Sequence, residues 1–154
     1  MSISPKISRR LLLTGLAATP LLAALPARAA SPRTFQTGGI AINGIDPIGY
    51  FTDAAPVPGL AAHALDWNGA TWHFASAENR AMFESNPEKY APRFGGYCAY
   101  AASKGYLAPT IPEAWTVYED TLYLNANLRA RELWLQDVPG NIAKGEANWP
   151  GILG

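Results

Sequence analysis

One cysteine, Cys98, stands in a chain of 154 residues. No internal disulfide can form, so no covalent cross-link holds the fold. A structural zinc site, which takes four ligands, cannot be assembled around a single thiolate. Histidine is nearly as scarce, with only His63 and His73. Neither charge sign is in excess, at 12 basic and 12 acidic residues. That balance leaves no basic footprint for nucleic acid or an anionic membrane surface. No Ser-His-Asp, Walker, dinucleotide-binding or metalloprotease motif occurs, so the sequence points to no familiar enzyme class. Internal repeats and long linkers are absent as well.

What is present begins with a leader. Ser8-Arg9-Arg10-Leu11-Leu12-Leu13 is a twin-arginine opening, and an apolar run continues to Leu25. Ala27-Arg28-Ala29 then reads as a small-x-small cleavage site. The run is short for a bilayer span. Residues 1–29 are therefore expected to be a Tat-type signal peptide, cleaved near Ala29, that sends the protein to the periplasm. An uncleaved membrane anchor is the alternative. The leader holds Lys6, Arg9, Arg10 and Arg28 and no acid, so residues 30–154 carry a net charge of −4. After cleavage no membrane attachment is expected. Residues 30–39 read as an N-terminal tail and 40–154 as one domain large enough for its own core.

Turn and cap residues organise that domain. Ile40-Ala41-Ile42 suits a short strand, and Asp46-Pro47 suits the start of a helical turn, with Asp as cap and Pro at the first position. Asn68-Gly69 between two β-forming runs predicts a two-residue hairpin. That register pairs Trp67 with Ala70, Leu65 with Trp72 and His63 with Phe74. Strand alternation puts His63 with the tryptophans on one face, and His73 on the other beside Asp66. Ser76 caps a helix to about Glu84 with Ala81 and Phe83 inward, and Asn86-Pro87 opens another. Trp115–Tyr118 and Thr121–Leu124 form a second hairpin. Leu128–Gln136 and Val138–Gly145 read as helices, with Leu128, Trp134 and Leu135 as the apolar face of the first. The fold class expected is α+β: a small single domain of antiparallel hairpins forming a sheet with short helices packed on it.

The stretch Arg93–Gly105 draws the chemical interest. Gly95 and Gly96 free the backbone just before Tyr97 and Cys98. A helix over Tyr97–Lys104, closed by Gly105, would put Cys98 in its first turn, where the helix dipole favours a thiolate. A small buried hydrophobe is the plain alternative. Asp46 and Glu113 are carboxylates in loop positions with no evident partner. Tyr50, Tyr97, Tyr100 and Tyr106 can line a pocket or simply pack.

Taken in order, these pieces resemble the YHS domain. The resemblance is carried by Asp46-Pro47 with Tyr50-Phe51, by Trp67-Asn68-Gly69-Ala70-Thr71-Trp72-His73-Phe74-Ala75-Ser76, and by Phe83 with Asn86-Pro87-Glu88-Lys89-Tyr90. Gly95-Gly96-Tyr97-Cys98-Ala99, Leu122-Tyr123-Leu124-Asn125 and Asn148-Trp149-Pro150 resemble an exported bacterial branch. Some members of that branch carry selenocysteine, expected at the position of Cys98. The resemblance implies a small module proposed to bind metal or to accompany metal-handling proteins. Two departures stand out: Gly49 follows Asp46-Pro47-Ile48 where many members have cysteine, and Ser76-Ala77-Glu78-Asn79 has none. A site of several thiolates cannot be built.

Three functions follow as expectations. The first is binding of a soft, copper-like ion by Cys98, helped by His63, His73 or Met82. The second is thiol redox chemistry at Cys98, through a sulfenic acid or a mixed disulfide with a periplasmic protein partner. The third is a non-catalytic interaction module. Asp46, Tyr50, Gly95, Gly96 and Tyr97 are further site candidates around this centre. The balance leans away from an enzyme.

Overall fold

The computed structural model describes Gly15 and residues 17–154. The twin-arginine stretch lies outside the described residues. The strands are β1 (Gln36–Thr37), β2 (Ile40–Ala41), β3 (Ile45–Asp46), β4 (Val57–Pro58), β5 (Leu60–Trp67), β6 (Ala70–Phe74), β7 (Trp115–Tyr118) and β8 (Thr121–Leu124). The helices are α1 (Pro47–Thr52), α2 (Ala77–Ser85), α3 (Pro87–Tyr90), α4 (Ala99–Lys104), α5 (Leu128–Leu135) and α6 (Val138–Asn148). Short antiparallel hairpins and short helices give the α+β architecture expected.

The Asn68-Gly69 turn has both residues at positive φ, 49° and 79°, as a tight hairpin requires. It joins β5 to β6 with Trp67 opposite Ala70 and Leu65 opposite Trp72. Beyond Ala64 the expected register fails. Leu60, not His63, faces Phe74, because β5 is irregular between Leu60 and Ala64. The four-stranded sheet runs β1-β2-β6-β5, and its β2–β6 contact is parallel, through Ile40 and Thr71. β3–β4 and β7–β8 form two further antiparallel pairs.

Two cores result. The larger gathers Ile42, Ile48, Tyr50, Trp72, Phe74, Phe83, Leu122 and Leu124. Phe83 stacks within 5.1 Å of both Trp72 and Phe74. The smaller core joins Phe94, Ala99, Ala102, Tyr123 and Trp134, with α4 packed chiefly on α6. Leu122 and Tyr123 point to opposite sides of β8, so this strand separates the two. Trp149 touches both.

Several local readings change. Residues 31–37 are no tail: Thr34 and Phe35 are buried, and Gln36–Thr37 adds a strand. The anchors are distant in sequence. Phe35 N–H donates to Gly95, Thr34 Oγ1 to Asn68 and Tyr97 Oη to Pro32. Ala81 is exposed on α2, leaving Phe83 as its inward residue. Leu128 and Leu135 are exposed too, and α5 buries Trp134 alone. α6 runs three residues past Gly145, to Asn148. Upstream, Leu21, Leu22 and Leu25 are almost fully exposed. Among the described residues no helix is long and apolar enough to cross a membrane.

Candidate functional site

The chain reaches Cys98 through a left-handed bend. Phe94, Gly95 and Gly96 have φ of 56°, 64° and 86°. A side chain on Gly95 would run into the Arg33 carbonyl oxygen. The bend turns the chain so that Cys98 becomes the N-cap of α4, because the helix starts at Ala99, two residues later than the Tyr97 start expected. Its N–H donates to Ala108 at 3.0 Å. Its sulfur accepts the Ala101 N–H at 3.4 Å, and its S–H donates to Asn125 Oδ1 at 3.4 Å. Cys98 is 2% exposed and Asn125 0%. The same Oδ1 takes the Tyr100 N–H at 2.9 Å, whereas Asn125 Nδ2 is buried without a partner.

The proposed helpers stand elsewhere. His63 lies in the irregular part of β5, and His73 lies opposite Ala64 on β6. Asp66 bonds Thr71 Oγ1 at 2.7 Å, not the His73 ring. Met82 is on α2, facing solvent. Among the described residues no group of three or more His, Cys, Asp or Glu is placed to hold a metal ion. The residues present around Cys98, one thiol and one amide, do not make up a metal set.

The other candidates have definite structural work. Asp46 is fully buried, and its carboxylate accepts from Ile48 N–H at 2.9 Å, Ala75 N–H at 2.8 Å and Asn79 Nδ2 at 2.8 Å. It caps α1 and ties that helix to the end of β6 and the start of α2. Tyr50 Oη donates to Pro112 at 2.9 Å. Burial, and secondarily the Glu113 carboxylate, push its phenol well above the ordinary value. Tyr97 is pushed up by burial, with its ring 5.8 Å from Phe35 and 6.3 Å from Trp149. Gly96 leaves no room for a side chain against Ile42 Cγ2, 2.6 Å from where a Cβ would sit. Tyr100 is half-buried under Lys104, and Tyr106 is exposed.

A cleft of about 320 Å³ opens where five segments converge. Trp72 and Phe94 are buried at its base, and half-buried Trp67 and Trp149 stand above them. Exposed Arg33, Glu88 and Arg93 contribute its charge. A second recess of about 290 Å³ shares Arg93, Phe94 and Trp149 and adds Glu146, which forms an ion pair with Arg93. The sequence reading missed this place. Its one clue was Arg33-Thr34-Phe35, an aromatic beside a cation in a stretch otherwise small and polar.

Residues 48–94 match the YHS domain. This stretch is a YHS domain. The match runs from α1 through α3 to Phe94, so Cys98 and α4–α6 lie beyond it. The cleft straddles its boundary: Trp67, Trp72, Glu88 and Phe94 belong to the YHS stretch, Arg33 and Trp149 to the flanks. No curated protein and no solved structure matches the chain.

Proposed function

We propose that this chain is an exported, non-catalytic binding module in which flanking segments complete a ligand cleft on a YHS domain. The observation that carries this reading is the cleft at the seam, with aromatic side chains and charges drawn from both sides. Export and periplasmic residence rest on the twin-arginine leader. Leu21, Leu22 and Leu25 support them by finding no place in either core. The test uses the five tryptophans as reporters. Side-chain indole resonances are followed while small acids, amines and amino acids are added. A ligand of the cleft moves the Trp67, Trp72 and Trp149 signals and leaves Trp134, the buried residue of α5, in place. Shifts confined to Trp115 and Trp134, or none with any compound, refute the reading.

A soft copper-like ion on Cys98 is less well supported. The YHS domain suggests a metal-binding module, but His63, His73 and Met82 are not gathered at the sulfur. Cu(I) titration of the native protein and of Cys98→Ser decides it: equal affinity removes Cys98 as a ligand. Thiol chemistry has one observation in its favour, the buried and unpartnered Asn125 Nδ2 beside the sulfur. A peroxide would transfer one oxygen to the thiol and leave as water or an alcohol, and Nδ2 is a donor for the new oxygen. Dimedone labelling of the peroxide-treated native protein tests this, and an unlabelled Cys98 ends it.

A further inference from the structure

We propose that the cleft seats a small zwitterion with a flat apolar body, in chemical class an aromatic α-amino acid. This rests on the cleft being the binding site. Four ionic side chains surround the cleft and its adjoining recess: Arg33, Arg93, Glu88 and Glu146. Arg93 and Glu146 satisfy each other. Arg33 and Glu88 form no ion pair among the described residues. One cation and one anion therefore remain free on the rim of the same cavity.

The polar groups deeper in the cleft are already engaged. Trp72 Nε1 donates to Trp67 at 2.9 Å, and Thr34 Oγ1 to Asn68 at 2.8 Å. Trp72 and Phe94 offer ring carbon at the base, and the free polar groups, the Asn68 amide among them, are exposed. Specificity must then come from the rim. A plain anion would satisfy Arg33 and leave Glu88 facing a like charge. A plain cation, though welcome over indole faces, would leave Arg33 in the mirror position. A zwitterion meets both, with its carboxylate on the guanidinium and its ammonium on the Glu88 carboxylate. The flat body stacks on the half-buried indoles of Trp67 and Trp149. The volume, about 320 Å³, is at the small end for ligand sites and suits a molecule of roughly a dozen heavy atoms.

The experiment titrates the full chain with L-phenylalanine, phenylacetate and phenethylamine, following tryptophan fluorescence and calorimetric heat. Phenylalanine is expected to bind, and removal of either charge to weaken binding at least tenfold. Arg33→Gln weakens phenylalanine and phenylacetate but not phenethylamine, and Glu88→Gln weakens phenylalanine and phenethylamine but not phenylacetate. Both positions are exposed, so neither variant threatens the fold. If phenylacetate or phenethylamine binds as tightly as phenylalanine, the zwitterion is wrong and the cleft reading stands. If none of the three binds while another compound moves the Trp67 and Trp149 indoles, the ligand class is wrong. If no compound moves them, both readings fall together.

Discussion

Asp46 concentrates more structure on one side chain than any other polar residue here. Three donors converge on its buried carboxylate, from α1, the end of β6 and α2. Asp46→Ala would leave those donors without a partner in a dry place. The expected cost is about 3 kcal/mol or more, since each stranded donor costs roughly 1 kcal/mol at least. Urea unfolding would show a lower midpoint at an unchanged slope. Tyr50, Tyr97 and Tyr123 act together in another way. Burial raises all three phenols above the ordinary value of 10.0. The unfolded chain gives up these protons first, so stability is full below pH 10 and falls as pH rises beyond it. Tyr50 alone contributes a slope of about 1.4 kcal/mol per pH unit there. Alkaline unfolding followed by circular dichroism measures it, and Tyr50→Phe, which removes the ionisation, flattens the fall.

Among the elements, two turns show how differently a glycine can matter. Gly69 and Gly95 both have positive φ, 79° and 64°. Nothing lies within 4 Å of a side chain added at Gly69. Gly69→Ala is therefore expected to cost about 1 kcal/mol, the backbone strain alone. Gly95→Ala meets the Arg33 carbonyl as well and should cost several-fold more, dislodging residues 31–35. Thermal unfolding of the two variants side by side separates strain from collision. The hairpin at Gly69 was legible in the sequence because a two-residue turn is a local event. Asp46, Ser76 and Pro87 were legible for the same reason: a cap acts within one helical turn. Cys98 was legible only in part. Glycines before it and Gly105 after it framed a helix, but its place as N-cap depends on Asn125, 27 positions away. The irregularity in β5 was hidden because it answers to the close approach of Gly59 to the His73 backbone. Arg33 and Trp149 were missed as site residues because nothing near either one signals the other.

At the scale of the whole molecule, residues 17–30 are exposed and burial begins at Ser31. Ser31 N–H donates to Leu153 at 2.7 Å, and from there the chain is tied down. Protein beginning at Ala30 is expected to melt within about 2 °C of the full chain. Protein beginning at Gly38 loses Thr34, Phe35 and the Tyr97–Pro32 bond. It is expected to melt at least 10 °C lower, or not to fold, because burying two such side chains is worth several kcal/mol. Differential scanning calorimetry of the three lengths checks both statements.

The Ser31–Leu153 bond joins the two ends of the packed body. A ribosome has made the first partner long before it makes the second. A nascent fragment that stops short of Leu153 cannot close this clasp. The stretch just before Ser31 therefore sits beside a contact that waits for Leu153 to be made.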